Sequence, residues 1–317
     1  MTPFRLLPIA IVFAVFADRS PDMHAGGTPD GPTPGAPGKS HGVASDSLLL
    51  TASALRDRLT RGDLVVLQVG ERADYDAGHI PGARFLSYDA IARPRADGLL
   101  LEVPPPAALD SLFASLGVTD RSRIVLYWSR DWYSATTRVF LTLDYLGLGL
   151  RTSVLDGGLA AWKAAGGTLT TEVPPTVRTK FTIHPRNDLI ADLETVRRSL
   201  RDPHVALIDA RSERFFTGES QAAMHPRDGH IPGARNLPFS AVIDERGGFK
   251  SRPDLERLLD AVGATPDTRV IVYCHIGQQA TVVYFVARLL GREVRLYDGS
   301  WEEWSRNPEL PIETGRR

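Results

Sequence analysis

VIVYCHIGQQATVVYF, residues 270–285, passes from an apolar, β-branched run through a polar, glycine-bearing loop into apolar residues at helical spacing. An apolar run bounded by turn residues reads as a strand buried on both faces, and the periodicity after it reads as a helix. The chain's single cysteine, Cys274, closes the strand. In open α/β sheets ligands bind beyond the carboxyl ends of the strands, so this thiol stands at the functional end.

The same unit occurs twice. IVLYWS (124–129) recurs as VIVYCH (270–275), AGHIPGARFLSYD (77–89) as DGHIPGARNLPFS (228–240), and VLDGGLAAW (154–162) as RLYDGSWEEW (295–304). Three matches in one order mark a duplication. The second copy offers strands VALIDA (205–210), RVIVYC (269–274) and VRLYD (294–298), separated by the helical patterns PDLERLLDAVG and QQATVVYFVARLLG. The first offers LVVLQV, RIVLYW and TSVLD around PAALDSLFASLG and SATTRVFLTLDYLG. The expected fold is α/β, with two tandem domains over 45–170 and 189–317, each a mainly parallel sheet flanked by helices. A Pro-containing, strand-like linker covers 171–188.

The chain of 317 residues carries Lys+Arg 37 against Asp+Glu 38, a net charge of −1, so no global field attracts nucleic acid or anionic lipid. One cysteine excludes an intramolecular disulfide and every Cys-rich zinc site. Residues 1–17 combine a basic start (MTPFR), a twelve-residue apolar stretch and VFA before Asp18, the pattern of a cleaved secretory signal. The stretch falls short of the about 20 residues a spanning helix needs, although an uncleaved anchor is the alternative. Residues 18–44 are Gly- and Pro-rich and read as a disordered tether. The expected location is therefore periplasmic or extracellular, with no stable membrane insertion.

The loop after Cys274 has the makings of a nucleophile site. Its backbone N–H groups can close around one atom with a helix N-terminus behind them, a setting that lowers a thiol pKa from about 8.5 toward or below neutral. Gly277 permits the tight turn, and Gln278 and Gln279 can add hydrogen bonds at the mouth. The plain alternative is a buried strand-end cysteine with no role.

From about residue 45 onward the chain resembles the tandem-domain rhodanese family of sulfurtransferases. The resemblance rests on GHIPGA at 78–83 and 229–234, DARSERF at 209–215, YCHIGQQAT at 273–281 and YDGSWEEW at 297–304. It implies that only the second domain is catalytic, and Trp128 stands in the first copy where Cys274 stands in the second. Trp128, Trp132 and Tyr133 are then candidates to wall the cleft between domains. The implied chemistry is attack of the Cys274 thiolate on the outer sulfur of thiosulfate or 3-mercaptopyruvate, followed by transfer from the persulfide to cyanide or a thiol. No metal or organic cofactor is implied.

The resemblance places Arg214 over the anionic substrate, so that Arg214→Ala is expected to hurt donor use far more than Arg211→Ala. Arg227, in a stretch the first copy lacks, resembles a second arginine of mercaptopyruvate enzymes. Asp209, whose counterpart is Val69, reads as structural or loop-orienting, and His79 and His230 as residues of the GHIPGA turns. The loop departs from both common types, CRKGVT for thiosulfate and CGSGVT for mercaptopyruvate, with His275 and Ile276 in the differing places. His275, with an ordinary pKa of about 6.5, offers a partial cation. Thiosulfate is the expected donor and 3-mercaptopyruvate the alternative, in a monomeric enzyme. A different class, an envelope sulfur-carrier or redox-sensing module, would keep the same loop. A Cys-based phosphatase would need Cys-x5-Arg, and no arginine follows at that spacing.

Overall fold

The computed structural model describes residues 48–92, 98–130 and 133–316. The expected signal (1–17) and tether (18–44) and the cleft candidate Trp132 lie outside the described residues. In the first domain β1 (Leu49–Leu50), β2 (Leu64–Gly70), β3 (Arg84–Ser87), β4 (Arg123–Trp128) and β5 (Thr152–Leu155) form one sheet in the order β1-β5-β4-β2-β3. The second domain repeats it with β6 (Ile190–Ala191), β7 (Val205–Asp209), β8 (Arg235–Asn236), β9 (Arg269–Tyr273) and β10 (Glu293–Tyr297), in the order β6-β10-β9-β7-β8. Every pairing within both sheets is parallel. Burial on both faces explains why the central strands are continuous apolar runs.

Helices cover the faces: α1 (Ala52–Arg56), α2 (Arg72–Ala77), α3 (Pro106–Ser115), α4 (Tyr133–Tyr145) and α5 (Gly158–Ala164), then α6 (Leu193–Ser199), α7 (Glu213–Phe216), α8 (Arg252–Ala261), α9 (Ala280–Leu289) and α10 (Ser300–Arg306). Their starts are chemically marked. Asp192 accepts from the Thr195 N–H ahead of α6, and Ser251 from the Asp254 N–H ahead of α8. The linker is not strand-like: it has no regular strand, and 179–186 instead hydrogen-bond the first domain through Thr179, His184 and Arg186 N–H groups to Ala114, Leu146 and Tyr145 carbonyls.

The two domains meet along α4 and α9. Phe140 and Phe285 cross edge-to-face at 4.9 Å within one apolar cluster that continues from the first sheet to the second. Beside them Asp144 accepts from the Tyr284 hydroxyl (2.8 Å) and from Arg288 Nε and Nη2 (2.7 and 3.2 Å). Thr137 and Thr281 hydroxyls share a 2.8 Å bond. This seam carries α4 directly to the start of α9, where Cys274 lies.

Candidate active site

Cys274 follows the last residue of β9, and the turn 274–279 delivers the chain into α9. The backbone N–H groups of Ile276, Gly277 and Ala280 converge on its thiol. The turn needs Gly277, which has φ +81°, and a Cβ there would sit 2.8 Å from the Asp298 carbonyl oxygen. The first turn of α10 braces the loop from behind: the Trp301 and Glu302 N–H groups donate to the Cys274 and His275 carbonyls, each at 3.0 Å. Ser300, at φ +52°, completes the brace, its hydroxyl 3.3 Å from the Cys274 N–H. That contact explains why YDGSWEEW belongs with the cysteine loop.

The thiol is fully buried within the apolar core, and burial pushes its pKa up from the usual 9.0. The N–H groups of Ala280, Ile276 and Gly277 oppose this and the Asp209 carboxylate reinforces it, leaving a net rise. The expectation of a thiol lowered toward neutrality is thereby corrected. The cradle exists, but withdrawal from water outweighs it.

His275 is corrected too. Its Nδ1 lies 2.9 Å from His225 Nε2, the two rings stack nearly parallel at 5.1 Å, and Phe215 meets His275 edge-on at 4.7 Å. Burial first, then Arg211 and His225, drive its pKa well below 6.5, so it is neutral rather than a partial cation. Burial also depresses His225 to about 3, with Arg211 and Arg306 adding to the effect. Sequence reading missed His225; its only signal was a histidine in the stretch that the first copy lacks.

The predicted arginines are placed differently from expectation. Arg214 is exposed, and its Nε donates to Ser220 Oγ at 2.6 Å; no hydrogen bond joins it to the cysteine loop among the described residues. Arg227 spends its guanidinium on the carbonyls of Ser305, Leu310, Trp304 and Asn307, closing the C-terminal end of α10. It is a helix clamp rather than a substrate contact. Arg211, taken as the mild control, is buried. Its Nε bonds both oxygens of Asp209 at 3.0 Å, and Nη2 reaches Asp209 Oδ2 (2.5 Å) and the Gly229 carbonyl (2.7 Å). Asp209 thus orients the loop between β7 and α7 through this pair.

The rest of the loop faces the first domain. Gln278 Nε2 donates to Ser134 Oγ at 3.1 Å, whereas the buried Gln279 Oε1 has no partner among the described residues. Ile276 is half-buried against the core. Arg138, from α4 and fully buried, donates through Nη1 to the Gly277 carbonyl (3.1 Å) and Asp298 Oδ1 (2.6 Å). Trp128 is packed inside the first domain, while Tyr133 bridges it to Phe239 of the second, at ring separations of 6.1 Å on either side. His79 and His230 stack on Tyr75 and Phe216 at 3.8 and 3.7 Å, as befits turn residues.

Surface cavities of about 330 and 250 Å³ border α6. The second touches Val205 and Arg269, the starts of β7 and β9, which is the end of the sheet opposite Cys274. No group of three or more His, Cys, Asp or Glu among the described residues is placed to hold a metal ion, and no helix among them is long and apolar enough to cross a membrane.

Comparison with known proteins gives a consistent picture. The family profile described as a rhodanese-like domain matches residues 51–165 and 192–307. A thiosulfate sulfurtransferase of Azotobacter vinelandii is 32% identical over 273 residues, covering 85% of this chain and 98% of that protein. A probable 3-mercaptopyruvate sulfurtransferase of Pseudomonas aeruginosa is 34% identical over 285 residues, covering 86% and 99%. The crystal structure of YnjE superposes with a TM-score of 0.78 at 26% identity, covering 86% of this chain and 70% of that one.

Proposed function

Because this chain belongs to the rhodanese family and is a sulfurtransferase built of two such domains in tandem, we propose that it moves sulfane sulfur from thiosulfate to cyanide or a thiol through a persulfide on Cys274. The observation that carries this reading is the convergence of the Ile276, Gly277 and Ala280 N–H groups on the thiol at a strand end. In the donor step the Cys274 thiolate attacks the outer sulfur of thiosulfate. A bond forms from Sγ to that sulfur, and the old S–S bond breaks with its electron pair leaving on sulfite. The outer sulfur, now bearing the negative charge, lies where the cradle's donors stabilise it. In the acceptor step cyanide or a thiolate attacks that sulfur, and the pair returns to Cys274 as thiolate.

Because burial raises the thiol pKa, the Cys274 proton must leave to solvent before the attack, and the donor step should quicken as pH rises toward that pKa. Thiosulfate suits this loop because sulfite departs without needing a proton, while the loop places Ile276 where mercaptopyruvate enzymes keep a serine. The relative named for 3-mercaptopyruvate keeps that donor as the second reading. The reading includes no metal or organic cofactor, a monomer, and export to the periplasm or beyond on the strength of the signal-like residues 1–17. Steady-state sulfite release from thiosulfate and pyruvate release from 3-mercaptopyruvate, each with excess cyanide, test it on the full chain. Faster thiosulfate turnover that vanishes in Cys274→Ser is the expected result. Turnover surviving in Cys274→Ser, or a faster mercaptopyruvate reaction, would overturn the mechanism or the donor respectively.

A further inference from the structure

The site takes an anion, yet the cations that the sequence points to it are engaged elsewhere. Arg214 turns to Ser220, Arg227 clamps α10, and His275 is neutral. An anion brought into a solvent-free site is costly unless donors receive it. Arg211 and Arg138 both lie close enough to Cys274 for its charge to act on them. Arg211 has Nε and Nη2 committed to Asp209 and the Gly229 carbonyl. Arg138 uses Nη1 alone, and its Nε and Nη2 are buried with no partner among the described residues.

A third orphan lies nearby. The hydroxyl of Tyr88, in the short turn after β3, is buried without a partner among the described residues, and the charges of Arg138, Cys274 and Asp298 all act on it. Buried donors almost always have acceptors, so three unmet ones beside one cysteine loop call for a ligand. The geometry of the guanidinium says which kind. Nε and Nη2 share one edge of the planar group, the edge that forks onto two oxygens of an oxyanion. Nη1, on the far side, fixes that edge to the loop through the Gly277 carbonyl.

We propose that Arg138 and Tyr88, both from the first domain, form the receptor for the oxyanion end of the sulfur donor, with Cys274 taking its outer sulfur. The inference rests on the sulfur-transfer reading of Cys274. It gives the domain without a cysteine a direct part in the reaction: each domain supplies half of the site, one the nucleophile and the other the anion receptor.

Two substitutions separate this role from a structural one. Tyr88→Phe deletes a hydroxyl that bonds nothing among the described residues, so the fold keeps every contact seen there. Arg138→Lys retains a charge for Asp298 but has no forked edge. The donor half-reaction is read as sulfite release in the first turnover with thiosulfate, and the acceptor half-reaction as thiocyanate formation from enzyme preloaded with sulfur. The expected result is a fall in the donor-step kcat/KM of about 10- to 100-fold for Arg138→Lys and about 10-fold for Tyr88→Phe, through KM, with the acceptor step and the Tm of Tyr88→Phe unchanged. Sulfite should also inhibit both variants less than the parent. If both variants keep the donor step within about twofold while Cys274→Ser abolishes transfer, the receptor falls and sulfur transfer stands. Equal losses in the two half-reactions would likewise reduce Arg138 to a structural clamp. Transfer that survives in Cys274→Ser would instead remove the reading on which the inference rests.

Discussion

Arg211→Ala breaks one half of a buried ion pair, and its cost can be worked from the contacts. Asp209 is 0% and Arg211 1% exposed. The guanidinium bonds both carboxylate oxygens and the Gly229 carbonyl, and it lies 4.6 Å over the ring of Trp301. Alanine leaves the carboxylate buried with the residue-211 N–H and strips the Gly229 carbonyl of this donor. Removing one partner of such a pair costs about 3–5 kcal/mol, more than the intact pair contributes, because an uncompensated charge remains. At about 2–4 °C per kcal/mol for domains of this size, Tm should fall by about 6–20 °C. Thermal unfolding followed by circular dichroism, on Arg211→Ala, Asp209→Asn and an Arg211→Met/Asp209→Asn double variant, reads it. The double variant should lose clearly less than the sum of the singles, since neither charge is left alone. Arg214→Ala, at an exposed residue whose side chain makes one hydrogen bond among the described residues, to Ser220 Oγ, should stay within about 0.5 kcal/mol. A Tm for Arg211→Ala within about 2 °C of the parent would refute the reasoning.

Gly277→Ala forces a side chain into a left-handed conformation, at about 1–2 kcal/mol, and against the Asp298 carbonyl 2.8 Å away. Turnover should drop at least about tenfold with little loss of fold, as steady-state kinetics beside a thermal melt will show. His225, depressed to about 3 from 6.5, stays neutral in the folded chain while its unfolded counterpart takes up a proton. His225 should therefore withdraw stability as pH drops from 6.5 toward 3, at up to about 1.4 kcal/mol per pH unit, beside a contribution of the same sign from His275, and His225→Leu should reduce that slope in urea titrations across the range. The Cys274 thiol, raised above 9.0, should alkylate with iodoacetamide at a rate that climbs with pH past that value; a plateau near pH 7 would contradict the burial argument.

The fold was open to reading because its signals are local and repeated. Apolar runs such as RIVLYW and RVIVYC are strands in the structure, and the duplicated GHIPGA turns carry the same stacked histidines. The edge strands β1, β6 and β8 escaped because two residues carry no period. The site was legible at Cys274 and its loop but not at the cations. Beyond the end of β7 the chain leaves its two-residue alternation, so nothing in DARSERF tells that Arg211 turns inward and Arg214 outward. Arg138 reads as one more polar residue in a helical pattern, since its partners Gly277 and Asp298 belong to the other domain. The raised thiol pKa depends on total burial, which no stretch of sixteen residues reports.

The central claim is that sulfur passes through Cys274 as a covalent persulfide. The full chain treated with thiosulfate, freed of excess donor and digested without reductant, should show one added sulfur atom on the peptide carrying Cys274, seen by mass spectrometry. Cyanide should remove that sulfur and release an equal amount of thiocyanate. A chain that turns over thiosulfate while Cys274 never carries the extra sulfur would contradict the account.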